Sequence, residues 1–150
     1  MQLTAFYIVI LFLILLVDIS ERRILNALAL PGTLLAILAG LADGRDTFLA
    51  AFFGAALGFL FFYALYLIGG RFYSSTALGF GDVKLAMLLG AIMGIQQVLI
   101  VLSLGMLLAG SASIILLLDK RGNRQSTIPY GAFLAIAGII SLIWTNIVPS

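Results

Sequence analysis

Cysteine and histidine are both absent from this chain of 150 residues. Their absence excludes disulfide bonds, thiol nucleophiles, zinc-finger sites and every catalytic pair in which histidine activates serine or cysteine. Charged residues are also scarce, at 9% of the chain against about a quarter in soluble domains. Acid–base chemistry is therefore left to a few carboxylates: Asp18, Glu21, Asp43, Asp46, Asp82 and Asp119.

Apolar residues make up 63% of the chain, and their distribution predicts a membrane protein. A transmembrane helix needs roughly 20 apolar residues, and six segments approach that length. Runs such as IVILFLILLV are apolar all round, whereas barrel strands would alternate in polarity. We predict an all-α polytopic protein of about six transmembrane helices, with residues 1–150 forming one membrane-embedded domain. The predicted segments are residues 3–17, 24–42, 48–68, 78–95, 98–118 and 128–148.

The basic residues predict the orientation of these segments. Lys and Arg near membrane ends stay preferentially on the cytoplasmic side. If the N-terminus is outside, seven of the eight basic residues lie in the cytoplasm and only Arg45 lies outside. The first apolar run has no preceding basic region and no cleavage motif, so we expect it to remain as a helix. The net charge of +2 is small and gives no sign of a nucleic-acid partner.

Two carboxylates are predicted to meet at the cytoplasmic face. Asp18 ends the first segment and Asp82 begins the fourth, which with this orientation places both on the same side. Residues 83–95 would form only about 20 Å of helix against an apolar core of roughly 30 Å, so we expect Asp82 to be drawn below the interface. Membrane-embedded acids are costly, by about 2.5 to 3.5 kcal/mol at mid-helix, and need a reason.

A pair of carboxylates in a partly dry site predicts aspartyl peptidase chemistry. Both cannot ionise cheaply, so they would share a proton. One would act as a base on water and the other as an acid toward the scissile carbonyl. The competing interpretation is that each acid is a solvated residue at a helix boundary. Gly79 and Gly81 favour a site, because backbone without side-chain bulk beside Asp82 could hold an extended substrate.

The segment GFGDVKLAMLLGAIMG resembles the second active-site motif of type IV prepilin peptidases, the GxGD aspartyl proteases of bacterial inner membranes. The tetrapeptide alone would be a weak signal, but GxGDVKL in a six-helix membrane protein is strong. The first motif of that family has an aspartate followed by arginine and Ile-Pro-Asn. Asp18, Arg23, Ile24 and Asn26 resemble it, with Leu25 in place of the proline.

A third segment, TIPYGAFLAIAG, resembles the IPFGPFLA element at the start of that family's last helix. Tyr130 and Ala132 are the substitutions in it. The resemblance to prepilin peptidases thus extends over most of the chain. Long members of the family carry an N-terminal domain with paired cysteines that is associated with N-methylation. The resemblance is to a short form without it, similar to the peptidases of tight-adherence pilus systems, and we expect no methyltransferase activity.

The resemblance implies a function for each part of the site. Asp18 and Asp82 would be the catalytic residues, without metal or cofactor. The substrates would be prepilins or pseudopilins, whose basic leader is cut on the cytoplasmic side of the bacterial inner membrane while the apolar helix stays in the lipid bilayer. Substrate-binding or site-supporting roles are expected for a further set: Gly79, Gly81, Lys84, Arg23 and Asn26.

Some of these supporting residues have plain structural interpretations. Lys84 could bias the pair or contact the substrate, but lysines at helix ends commonly extend to the interface. Arg23 could simply determine topology, and Asn26 could cap a helix.

Other functions predict different features. A small transporter or channel subunit would place acids near the midplane, with discontinuous helices or inverted repeats, which the sequence does not indicate. A structural partner with a decayed active site would not need both aspartates. A protease of the presenilin or signal-peptide-peptidase type would have tyrosine before its first aspartate, whereas Val17 precedes Asp18.

Overall fold

The computed structural model describes residues 2–21, 26–72, 78–118 and 130–147, and these form five α-helices. The mean hydropathy of the chain is +1.24, which suits a bilayer. Helices are the expected structure there, because a helix satisfies its own backbone hydrogen bonds without water. The prediction of an all-α polytopic membrane protein is confirmed. The helices are α1 (Gln2–Glu21), α2 (Asn26–Asp43), α3 (Arg45–Phe72), α4 (Phe80–Leu118) and α5 (Tyr130–Ile147).

Four of the described helices, α1, α3, α4 and α5, are long and apolar enough to cross a membrane. The apolar stretch of α2, Leu28–Asp43, is shorter. Pro31 lies inside α2 without ending it. The turn between α2 and α3 consists of Gly44 alone, whose φ of 129° suits glycine. The second predicted segment ended at residue 42 and the third began at residue 48, so the predicted loop between them was too long.

The helix α4 contains two of the predicted segments. Its 39 residues would reach about 58 Å if straight, nearly twice an apolar core of roughly 30 Å. Gly94 interrupts it with φ 71° and ψ 172°, a conformation that is essentially restricted to glycine. The two predicted segments are thus two arms of α4, and the boundary predicted between residues 95 and 98 was placed slightly too late.

Contacts with α5 show that the chain reverses direction at Gly94. In the first arm, Leu89 lies against Gly138, and Asp82 at the arm's start interacts with Tyr130 at the start of α5. The first arm therefore runs parallel to α5. In the second arm, residues 97–104 line a cavity with residues 140–145, whereas the later Gly105 lies against Leu134. The second arm therefore runs antiparallel to α5.

Small residues let α3 and the first arm of α4 approach backbone to backbone. A side chain at Gly54 would collide with the backbone of Gly90, and one at Gly58 would collide with the carbonyl of Ala86. The sequence GAALG in α3 thus packs on small residues four apart in α4, which is a common way for membrane helices to associate. This crossing fixes the height of α4, and hence of Asp82, relative to α3.

The first arm of α4 forms the centre of the bundle. Leu85, Leu88 and Leu89 are fully buried, and α2, α3 and α5 all pack against this helix. Leu11 and Ile14 of α1 are also fully buried, and α1 packs mainly on α5. Large apolar side chains on the outer faces of the helices are exposed, as expected for surfaces that contact lipid.

Candidate active site

Asp18 lies in the last turn of α1 and is only 5% exposed. The backbone N–H of Ala132 donates a hydrogen bond of 2.7 Å to Asp18 Oδ2. This bond joins residues 114 positions apart, so it connects the end of α1 directly to the first turn of α5. The helix α1 continues for three residues beyond Asp18 to Glu21, which explains why this acid is covered and does not lie in a loop.

Asp82 lies in the first turn of α4 and is 7% exposed. Its carboxylate accepts a hydrogen bond of 3.0 Å from the backbone N–H of Gly79, and its own N–H donates to the carbonyl of Gly79, also at 3.0 Å. The side chain therefore reaches back to satisfy a donor before the helix, as the third residue of a capping box does. The helix start itself fixes the orientation of Asp82.

The two carboxylates form a buried pair. Among the described residues, the buried polar or charged side chains are Asp18, Asp82 and Thr33. The hydroxyl of Thr33 bonds to the carbonyl of Ala29 in its own helix, so of these three side chains only the two aspartates are ionisable. Asp18 and Asp82 are close enough to interact electrostatically. Two carboxylates in this arrangement favour a shared proton over double ionisation.

Both carboxylates accept a hydrogen bond at the N-terminus of a helix. Asp82 lies in the first turn of α4, and Asp18 accepts an N–H from the first turn of α5. The first N–H groups of a helix have no partner within it, and the N-terminus carries a partial positive charge. These N–H groups thus offset part of the cost of burying negative charge.

Aromatic side chains surround the start of α4 and α5. The ring of Tyr130 packs against Phe62 with centroids 6.5 Å apart, and Phe62 is fully buried. Phe80 lies edge-on to Tyr66 at 5.8 Å, and the ammonium of Lys84 lies 5.0 Å from the centre of the Phe80 ring. These contacts line the approach to Asp82 with apolar surface and place Lys84 against a ring face, where cations are favoured.

The structure describes some of the predicted supporting residues and not others. Gly79 supplies the backbone contacts to Asp82, and Gly81 is partly exposed beside it. Lys84 lies one turn from the start of the helix and interacts with Phe80. Asn26 begins α2, but its side chain and the whole of Arg23 lie outside the described residues.

The contribution of α5 was missed in the list of site residues. The segment TIPYGAFLAIAG was noted as a resemblance, yet no residue in it was assigned to the site. Ala132 acts through its backbone N–H, which the side-chain pattern does not reveal. Tyr130 interacts electrostatically with Asp82. The signal that could have found both is the position of this segment, which places a free helix N-terminus at the membrane face of the aspartates.

No group of three or more potential metal ligands lies together within the described ranges. The described site contains two carboxylates, backbone N–H groups and a nearby phenol. Such a set can exchange protons with a water molecule and with a substrate carbonyl.

The model of the type IV leader peptidase family matches residues 5–114, a range that includes both aspartates. The prepilin leader peptidase/N-methyltransferase of Aeromonas hydrophila is 34% identical over 132 residues, which cover 85% of this chain and 44% of that protein. The proteins of the same name from Pseudomonas aeruginosa and Pseudomonas putida are 31% and 30% identical, each over 86% of this chain. They are covered over 44% and 45% of their lengths, respectively.

The chain thus spans less than half the length of these curated relatives. No solved structure gives a significant match.

Proposed function

Because the chain belongs to the type IV leader peptidase family, we propose that it is a membrane aspartyl endopeptidase with Asp18 and Asp82 as its catalytic pair. The observation that carries this proposal is a pair of buried carboxylates from separate helices, within electrostatic range of each other and each bonded to a backbone N–H. The described groups are suited to the proton transfers that a peptidase needs.

The reaction follows from a pair that shares one proton. The ionised aspartate removes a proton from a water molecule, and the oxygen attacks the scissile carbonyl carbon. The protonated aspartate gives its proton to the carbonyl oxygen, which yields a neutral tetrahedral intermediate. The C–N bond then breaks as the first aspartate returns its proton to the leaving nitrogen and the second regains one from the hydroxyl. The pair ends as it began.

The proposed substrates are prepilins or pseudopilins, and the proposed partner of the apolar surface is the substrate's own helix within the bilayer. The orientation remains that predicted from charge, with the N-terminus outside and the site on the cytoplasmic side of a bacterial inner membrane. The described basic residues support it, because Lys84 and Arg71 lie at the end of the bundle that holds the aspartates and Arg45 lies at the other end. Residues 1–150 would act as one membrane-embedded domain.

The transporter alternative has no comparable support. It expects acids near the middle of the membrane, whereas Asp18 and Asp82 lie in the terminal turns of α1 and α4. The break at Gly94 is the described discontinuity in α4, and neither carboxylate of the pair lies beside it.

Cleavage of a type IV prepilin by purified protein in detergent or liposomes tests the proposal. Leader loss is followed on a gel for the wild type, Asp18→Asn and Asp82→Asn. Asparagine keeps the shape and an acceptor oxygen but cannot exchange the proton, so we expect each variant to lose at least about a thousandfold in kcat/KM.

Asp43→Asn is the matched control, because Asp43 is an exposed carboxylate at the opposite end of the bundle. Its rate should stay within about twofold of the wild type. Cleavage that survives in either dyad variant would remove that residue from catalysis.

A further inference from the structure

The first turn of α5 lies against both members of the aspartate pair. The N–H of Ala132 bonds to Asp18 at 2.7 Å. Two residues earlier, Tyr130 interacts electrostatically with Asp82 while its ring packs against Phe62. A single turn of helix therefore contacts Asp18 directly and holds the Tyr130 phenol within electrostatic range of Asp82.

The hydrogen bond from the N–H of Ala132 offsets an unfavourable electrostatic environment of the Asp18 carboxylate. The last turn of a helix carries partial negative charge, which disfavours a carboxylate there. Asp18 lies in the last turn of α1, so its own helix opposes its ionisation. The first turn of α5 carries the opposite partial charge and has N–H groups to donate. The Ala132 bond therefore favours the ionised form of Asp18.

Both donors depend on the residue types at positions 130 and 132. Phenylalanine in place of Tyr130 would have no hydroxyl, and proline in place of Ala132 would have no backbone N–H. Each position therefore supplies one potential hydrogen-bond donor that a single substitution can remove.

We propose that Tyr130 and Ala132 are positioning residues that set the pH range in which the aspartate pair works. This inference rests on the proposed peptidase function. Ala132 donates to Asp18, and in this proposal the Tyr130 hydroxyl is the donor to Asp82. A donor to the ionised form makes a carboxylate lose its proton at lower pH. The pair should therefore work in a more acidic range than it would with phenylalanine and proline.

Other charged or titratable groups at this end of the described helices are few. Helix α1 contributes Asp18, α4 contributes Lys84 and α5 contributes Tyr130. Helix α3 contributes Tyr63, Tyr66 and Arg71. The only described carboxylate of α2, Asp43, lies at the far end of the bundle. Lys84 interacts with the Phe80 ring, and the rings of Tyr63 and Tyr66 stack on one another. Tyr130 and Ala132 are thus the groups from α5 that act on the pair.

The test is the pH dependence of prepilin cleavage by Tyr130→Phe and Ala132→Pro. Proline is tolerated in the first turn of a helix, so Ala132→Pro removes the donor without breaking α5. We expect the whole bell-shaped profile of kcat/KM to move to higher pH, by about one unit for Ala132→Pro and less for Tyr130→Phe. On the acidic side this is a tenfold loss at fixed pH, carried by kcat with KM little changed.

Two controls separate positioning from packing. Tyr63→Phe removes a hydroxyl from another partly buried tyrosine whose ring stacks on Phe59, and its profile should not move. Ala132→Gly keeps the N–H, so its profile should hold its place even where flexibility lowers the rate. Thermal melting of all four variants shows whether each is folded.

Equal loss of rate at every pH, without a shift, would assign Tyr130 and Ala132 to packing and overturn the inference. A shift of the same size in Tyr63→Phe or Ala132→Gly would overturn it as well. Asp18→Asn and Asp82→Asn in the same assay keep the two proposals apart. If both abolish cleavage, the peptidase proposal stands whatever the α5 variants do.

Discussion

The two ends of the bundle carry carboxylates in opposite situations. At one end, Asp18 and Asp82 are buried and accept backbone hydrogen bonds from the starts of α5 and α4. At the other end, Asp43 and Asp46 are exposed on either side of the one-residue turn at Gly44. Asp43 also borders an open cavity of about 190 Å³. The same side chain thus serves as a site at one end and as a solvated boundary at the other.

The difference shows that an acid near a membrane end is not by itself a sign of function. What distinguishes the pair is the surrounding structure: apolar helices that exclude water and helix N-termini that supply donors. The backbone crossing of α3 and α4 holds Asp82 at its depth, and the break at Gly94 lets α4 return along α5. The end of the bundle that holds Asp18 and Asp82, called the site end below, therefore depends on tight packing elsewhere. This dependence can be tested.

The largest effect is expected where α3 supports the site end. Gly58→Leu would drive a side chain into the carbonyl of Ala86, one turn after Asp82 in α4, and the two backbones would have to separate. We expect a loss of about 3 kcal/mol or more in the free energy of unfolding, together with loss of cleavage. Thermal unfolding in detergent measures the first and the prepilin assay the second.

Gly69→Leu is the matched control, since nothing lies within 4 Å of the position of its Cβ near the end of the same helix. It should melt close to the wild type. If Gly58→Leu does so too, the crossing does not hold α4 in place and the site end is less tightly supported than the contacts indicate.

Much of this arrangement could be predicted from the sequence. The apolar runs predicted the helices, and the motif around Gly79 and Asp82 predicted the start of α4. These features depend on local periodicity and on single residues with special geometry. The pairing of Asp18 with Asp82 was predicted from topology alone, because two ends on one membrane face have little room to separate.

The remaining features depend on contacts that no local pattern encodes. The predicted segments 78–95 and 98–118 left residues 96 and 97 between two helices, yet both continue the helix and Gly94 makes the break. The conformational freedom of glycine decided the position. The N–H of Ala132 is a backbone group, and its partner is fixed only when α5 docks beside α1. Side-chain identity could not predict that bond.

A smaller effect is expected at the break itself, away from the site. Gly94→Ala puts a Cβ on a residue with φ 71° and ψ 172°, which we expect to cost about 1 to 3 kcal/mol. Because the strain is local, the melting temperature should fall while kcat/KM of the remaining folded protein stays near the wild-type value. Circular dichroism at increasing temperature and the cleavage assay measure the two quantities.

Gly110→Ala, in the second arm of the same helix, is the control. Its Cβ would meet nothing within 4 Å, and alanine favours helix over glycine by about 1 kcal/mol. This variant should melt at or slightly above the wild-type temperature. An equally stable Gly94→Ala would mean that the chain does not need the left-handed conformation to reverse there.

The smallest expected effect is a gain in stability, and it compares one carboxylate from each end of the bundle. Asp18→Asn removes a buried ionisable group while its amide oxygen can still accept the N–H of Ala132. Burying one carboxylate near another is costly, so we expect this variant to be more stable by about 1 kcal/mol, or 2 to 4 °C in melting temperature. Asp43→Asn, exposed at the far end, should leave the melting temperature unchanged. Equal melting temperatures for both variants would mean that water reaches Asp18 freely. The contrast between a buried carboxylate at one end and a solvated one at the other would then be wrong.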